Sequence, residues 1–470
     1  MAYLIRNARL ITAADDATGD LLIEGEQIAA VGRNLPERIG PQLRPEILDA
    51  DGLWAMPGGI DVHTHLELYS WDTVSADDFY TGQVAALFGG TTAHIDFANQ
   101  ARGQTLREAL DAWHARAEGK AIIDYGFHVS ITDPTDAVLH EMGQLPAWGV
   151  SSVKLFLAYK GVYQLSDGDF FRVCRRAAEL GLLPIVHAET GDVIDILVRE
   201  AIAAGHTEPI WHARTRPPEC EAEATHRAIR LAEMAGAPIY IVHLTQREAL
   251  QAVAHAQQRG TRAFAETCIQ YLYWTIDDLA RPDFEGAKFV CSPPFRTRDD
   301  SAALWRGLAD GTLAVVATDH CPFNFATQKT LGRERFDKIP NGVPAIEDRL
   351  LLLFSDGVMQ ERLTPSQFVA LTATNPAKLF GLYPRKGALA PGSDADVVLW
   401  DPTVRHVRSA RTHHMNVDYN LWEGVEVQGK PVKVFSRGRL LVDGDDFRGE
   451  PGTGRYLYRG RSAAFAASSR

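Results

Sequence analysis

Between about Leu53 and Tyr383 the chain repeats one unit: a short run of apolar, often β-branched residues, then a longer stretch whose apolar positions recur every three or four residues. Eight strand-like runs stand out: GGIDVHTHL, TTAHIDF, YGFHVSI, SSVKLFL, LPIVHAE, PIYIVHL, TRAFAET and AVVATDH. The intervening segments, among them TLREALDAWHARAEG, DFFRVCRRAAELG and REALQAVAHAQQRG, have the spacing of amphipathic helices, and most close with glycine. Eight alternations of strand and helix predict an α/β chain folded as a (β/α)8 barrel. A doubly wound open sheet is the structural alternative, but chemistry-bearing residues on the first, middle and last strands converge readily only if the sheet closes.

The two ends of the chain follow a different pattern. Residues 1–52 alternate apolar and polar positions between Gly and Asp turn signals, which predicts short antiparallel strands, and ADVVLWD and VKVFSRGRLLVDG repeat that pattern within residues 384–445. These two ends are expected to share one small sheet-rich domain beside a barrel over residues 53–383. The loop CPFNFATQKTLGRERFDKIPNGVPAIEDR after the eighth run is rich in charge and proline, as a substrate-covering loop often is. Thr364-Pro365-Ser366-Gln367 then carries the signature of a capped helix start. The tail, residues 446–470, has aromatics and arginines without periodicity and is expected to order on a neighbouring subunit or not at all.

Composition narrows the function. A chain of 470 residues with 46% hydrophobic and 23% charged residues is ordinary for a globular protein. A net charge of −12 without a standout basic patch speaks against nucleic acid or an anionic membrane as partner and favours a small molecule. The five cysteines form no C-x-x-C pair, and no apolar run approaches the ~20 residues of a membrane span. A reduced, cytoplasmic protein is the expectation.

Candidate chemistry sits at the carboxyl ends of the barrel runs: His63 and His65 on the first, Lys154 on the fourth, His187 and His243 on the fifth and sixth, and Asp319 on the last. Residues two apart on a strand share a face, so His63 and His65 can point at one ion while Thr64 faces away. Imidazole and carboxylate suit zinc and similar ions, and the set is large enough for two divalent metals. Lys154 alone would be an ordinary ion-pair lysine, because an ammonium has no lone pair to offer. In this company it reads differently: a neutral amine that takes up carbon dioxide becomes a carbamate, an anion able to bridge two metals. His94, His128 and His320 fit packing or supporting roles. His114, His140, His206, His226 and His255 read as solvated, and His413 and His414 as part of the returning sheet domain.

These motifs, with AETC, SPPFR, KIPNGVPAIEDR and NPAKLFGLYPRKGALAPGSDADVVLWDP, resemble the amidohydrolase superfamily, and within it the dihydropyrimidinases and hydantoinases. The resemblance runs over nearly the whole chain. It implies a distorted TIM-like barrel with a β-sandwich built from both termini, a homotetramer, and two zinc ions bridged by a carbamylated Lys154 (N6-carboxylysine). His63 and His65 would hold one zinc with Asp319, and His187 and His243 the other. It further implies hydrolysis of a cyclic ureide to an N-carbamoyl amino acid by the bridging hydroxide, with Asp319 moving the proton, Tyr159 stabilising the oxyanion, and Ser292 and Asn341 gripping the ring.

The departures concern the substrate. Tyr69 and Trp71 stand where many dihydropyrimidinases have a Pro-Phe pair, and with Phe156 and Tyr163 they could form an aromatic lid for a bulky 5-substituent, which tilts the expectation slightly towards hydantoins. Gln246 replaces a usual cysteine and has no functional reading. Dihydroorotases carry an arginine at the position of Glu67 and, with allantoinases, are the near alternatives. Non-catalytic scaffold relatives have lost metal ligands that this chain retains.

Overall fold

The structure is a computed structural model and describes residues 2–37, 40 and 42–466. All eight barrel runs are strands: β1 (Gly59–Thr64), β2 (Thr91–Asn99), β3 (Asp124–Ser130), β4 (Ser152–Phe156), β5 (Leu183–His187), β6 (Ile239–Ile241), β7 (Ala263–Cys268) and β8 (Val315–Ala317). Each pairs in parallel with its sequence neighbour, giving the order β1 to β8 without a crossover. Their residues are almost all buried, as expected for strands covered inside by side chains and outside by helices.

The seam between β8 and β1 is closed by side chains and by the segment beyond β8. His65 N–H donates to the His320 carbonyl at 2.8 Å, and Thr318 Oγ1 donates to the His63 carbonyl at 3.0 Å. Arg349, fully buried, donates from Nη1 to the Ile60 carbonyl (2.9 Å) and the Val316 carbonyl (3.0 Å), one on each side of the seam.

The covering helices start and stop where local chemistry dictates. Thr105 caps Leu106–Ala117 in a capping box with Glu108, and Ser166 caps Asp167–Leu180. Asp167–Leu180 and Pro218–Ala235 end on Gly181 and Gly236, both left-handed. Thr364 and Gln367 form the expected capping box with Pro365 in the first turn. Further helices lie at Thr81–Phe88, Gly191–Ala203, Arg247–Gln258 and Arg298–Asp310.

The terminal strands form one nine-stranded hydrogen-bonded sheet that curls round its own core of Tyr3, Ile5, Leu21, Ile23, Val397, Leu399 and Phe435. The curl brings the edge residue Gln27 against Asp394, which makes two packed layers from one sheet. The sheet takes in Trp54–Pro57, paired with Val397–Trp400, so the chain enters the barrel at Gly59 rather than just after residue 52.

The tail differs from expectation. As far as Ala466 its order comes from its own barrel, and residues 467–470 lie outside the described residues: Leu457 N–H donates to the Tyr125 carbonyl (2.7 Å), Arg455 N–H to Asp124 (3.0 Å), and buried Arg459 to Ser152 Oγ (3.0 Å). Tyr456 and Phe127 pack around His114, which is therefore half-buried rather than solvated. His413 and His414 lie in the segment between Val407 and Glu426, outside the sheet strands, where His414 stacks on Phe88 and bonds Glu347. No helix among the described residues is long and apolar enough to cross a membrane.

Candidate metal centre

The carboxyl ends of the strands open into a cavity of about 430 Å³ lined by His63, His65, Lys154, His187, His243 and Asp319. Tyr159, Ser292 and Asn341 line it too, as do Tyr69, Trp71, Phe156 and Tyr163. Every site residue expected from the sequence thus borders one space.

His63, His65 and Asp319 form a compact group with the arrangement of metal ligands. Asp319 Oδ1 lies 3.1 Å from His63 Nε2 and 3.0 Å from His65 Nε2. The other ring nitrogen of His63 is 2.5 Å from Glu266 Oε1, while Glu266 Oε2 accepts from Tyr240 Oη at 2.7 Å. Burial alone would lower the His63 pKa, but Asp319 and Glu266 outweigh it and raise it to about 9.

His187 and His243 form the second group. His187 Nε2 donates to Glu189 Oε2 (2.7 Å), which turns its Nδ1 towards His243 Nε2 at 2.9 Å. Two imidazole lone pairs cannot face each other at that distance, so one of the two nitrogens carries a proton here. His65 Nδ1, His243 Nδ1 and Glu189 Oε1 are buried without a partner. Lys154 lines the same cavity, buried, its Nζ 5.0 Å from the Phe97 ring and 5.2 Å from the Phe156 ring, with no hydrogen bond among the described residues. Burial pulls its pKa down to about 8 against the opposing pull of Asp319 and Glu266. The donor set, the orphaned atoms and the readily neutralised amine all fit divalent ions.

The backbone is bent to achieve this. Tyr159, His243 and Asp319 have φ of 65°, 39° and 50°, and Glu67, Trp71 and Asp72 beside them are also left-handed. Such conformations cost roughly 1–3 kcal/mol each and persist where surrounding structure enforces them, often at functional sites. Burial pushes the Tyr159 phenol well above its ordinary pKa, so it stays a proton donor.

The chain belongs to the amidohydrolase family. That family's profile matches residues 54–441, the barrel with its flanking sheet strands. The D-hydantoinase of Geobacillus stearothermophilus is 49% identical over 468 residues, covering 99% of this chain and 98% of its own. The D-hydantoinase of Streptomyces coelicolor is 47% identical over 456 residues, 97% of each chain. The crystal structure of dihydropyrimidinase from Brevibacillus agri NCHU1002 superposes with a TM-score of 0.96 at 48% identity, covering 98% of this chain and 99% of that one. The family is metal-dependent, in keeping with the His-His-Asp group.

Several contributors escape a reading of the sequence. Glu266 and Glu189 orient His63 and His187 through the ring nitrogen facing away from Asp319 and His243. A Glu within or just beyond an apolar strand was the available signal. His212 had none: it sits on a short helix, accepts from Arg216 on Nδ1 (3.2 Å), and donates from Nε2 to the Cys291 carbonyl (2.9 Å) beside Ser292 Oγ (3.2 Å). His320 donates to Asp77 and accepts from the Ala345 N–H, and His128 bonds Ser152 and the Val62 carbonyl, so both support the frame.

Proposed function

We propose that this chain is a cyclic amidase that opens hydantoins and dihydropyrimidines to N-carbamoyl amino acids. The convergence of His63, His65 and Asp319 with Lys154, His187 and His243 in one cavity carries the reading. His63 and His65 would hold one divalent ion with Asp319, and His187 and His243 a second, with Lys154 as its carbamate between them; zinc is the first choice for imidazole and carboxylate donors. When bound, two such ions lower the pKa of a shared water and polarise the carbonyl under attack.

The chain's own groups do the rest. Asp319 receives the proton of the attacking water and returns it to the ring nitrogen as the amide C–N bond breaks. Tyr159, protonated at any working pH, donates to the developing oxyanion. Asn341 Nδ2 donates to Ser292 Oγ at 3.1 Å, which ties together the two side chains that would face the ureide. Tyr69, Trp71, Phe156 and Tyr163 offer an apolar wall for a 5-substituent, with Phe156 and Tyr163 stacked at 5.1 Å. That wall favours substituted hydantoins, and the names of the relatives favour the D enantiomer.

A dihydroorotase-like activity lacks support. Glu67 turns away from the cavity to Lys120 (2.6 Å), and no arginine lines the cavity among the described residues. All five cysteines are free and buried, consistent with a cytoplasmic enzyme. A homotetramer is the proposed assembly, read by light scattering.

The deciding experiment compares dihydrouracil, hydantoin and D-5-phenylhydantoin as substrates of protein supplied with zinc and bicarbonate. All three rings should open, the phenyl-substituted one most efficiently. Dihydrouracil far ahead of the others would remove the aromatic-wall argument, and no opening of any ring would remove the proposed function.

A further inference from the structure

The loop after β8 buries a lysine amine that the chemistry above does not use. Lys329 is fully buried, and its Nζ donates to three backbone carbonyls: Val290 at 3.0 Å, Pro340 at 2.7 Å and Gly342 at 2.7 Å. Three acceptors match the three protons of an ammonium. Val290 precedes Ser292 by two residues, and Pro340 and Gly342 flank Asn341. One side chain thus ties together both segments that grip the ring. The Val290 carbonyl also accepts from the Gly342 N–H (3.0 Å). Gly342 has φ 142°, and a Cβ there would lie 2.2 Å from the carbonyl oxygen of Cys321, two residues after Asp319, so only glycine lets this segment pass.

The neighbouring residue reaches the opposite wall. Gln328 Nε2 donates to Thr73 Oγ1 (2.8 Å) and the Val74 carbonyl (2.7 Å), and its Oε1 accepts from the Asn324 N–H (2.7 Å). Thr73 and Val74 are the return strand of the hairpin that carries Tyr69 and Trp71.

We propose that Gln328 and Lys329 are positioning residues that set the two halves of the substrate site separately, Lys329 the ring-gripping segments and Gln328 the aromatic hairpin over the 5-substituent. This rests on the cavity being a ureide site. A purely structural role would lower stability without distinguishing one substrate from another; separate control of the two halves must show in KM, substrate by substrate.

The test is steady-state kinetics of zinc-loaded Lys329→Met and Gln328→Ala on hydantoin and D-5-phenylhydantoin, with metal content and melting temperature measured alongside. Lys329→Met should raise KM for both substrates by roughly tenfold or more, the scale of a lost charge-assisted hydrogen-bond set, at unchanged metal content. Gln328→Ala should raise KM for D-5-phenylhydantoin by roughly threefold or more and leave hydantoin unchanged. Unchanged KM in folded Lys329→Met, or no difference between substrates in Gln328→Ala, overturns the proposal. Should Lys329→Met fail to fold, the Gln328→Ala comparison decides alone. Wild-type protein that opens neither ring overturns the ureide reading and this inference with it, whereas active wild type with no such pattern overturns only the inference.

Discussion

Two buried clusters of charge occupy opposite ends of one barrel and are built on opposite terms. At the amino end, Lys386 Nζ meets Asp124 (2.7 Å), Asp396 (2.7 Å) and Asp394 (3.0 Å), and Arg437 bonds Asp124 and Glu26, joining β3 to the sheet domain. Opposite charges there find each other within the chain. At the carboxyl end, His65, His243 and Glu189 each keep a buried atom without a partner among the described residues. An unpaired buried polar group costs on the order of 1–3 kcal/mol, so its persistence marks a place that something else completes. The first cluster holds the fold together; the second is held open by the fold.

Substitutions at the two ends should therefore separate activity from stability. The largest effect belongs to Asp319→Asn, which keeps the shape and removes the proposed proton carrier: turnover should fall by roughly 10⁴-fold with little change in melting temperature. Lys386→Met should do the reverse, lowering the unfolding free energy by roughly 3–5 kcal/mol because three carboxylates lose their cation, while the folded fraction keeps its activity. Urea titration and initial rates on the same samples read both.

A third buried cluster sharpens the contrast through pH. Burial pushes the Glu347 carboxyl up, but His414 and Arg408 outweigh it and hold its pKa down at about 2, against an ordinary 4.5. A carboxyl lowered on folding contributes stability that is whole above its unfolded pKa and is lost as pH falls through its folded one. About 3 kcal/mol should thus disappear between pH 4.5 and 2, and Glu347→Gln should flatten that part of the stability profile. The smallest effect is at the rim. Tyr69, 61% exposed, should lose about 1 kcal/mol of contact with D-5-phenylhydantoin on change to alanine, read as a few-fold rise in KM.

What the sequence disclosed follows the same division. Eight strands and the residues at their carboxyl ends were legible because a period of two and a period of 3.6 are local properties, and because His63, His65, Lys154, His187, His243 and Asp319 recur at one place in a repeating unit. Arg349 at the seam, Glu266 behind His63, His212 behind Ser292 and Lys329 under Asn341 were not. Each acts on residues from about 10 to nearly 300 positions away in the chain. Their identities carry no local period, and a buried arginine or lysine looks like a surface one until its acceptors are known. The tail was misjudged for the same reason: Leu457 and Arg459 have no periodicity because they follow the edge of β3 and the end of the barrel rather than a face of their own.

In the proposed enzyme Lys154 gives up its charge and binds metal as a carbamate. Protein loaded with zinc in ¹³C-labelled bicarbonate and examined by ¹³C NMR tests it directly. One carbamate carbon per chain, absent from Lys154→Ala and accompanied there by loss of ring opening, is the expected result. Full hydrolytic activity in protein that retains no labelled carbon would contradict it.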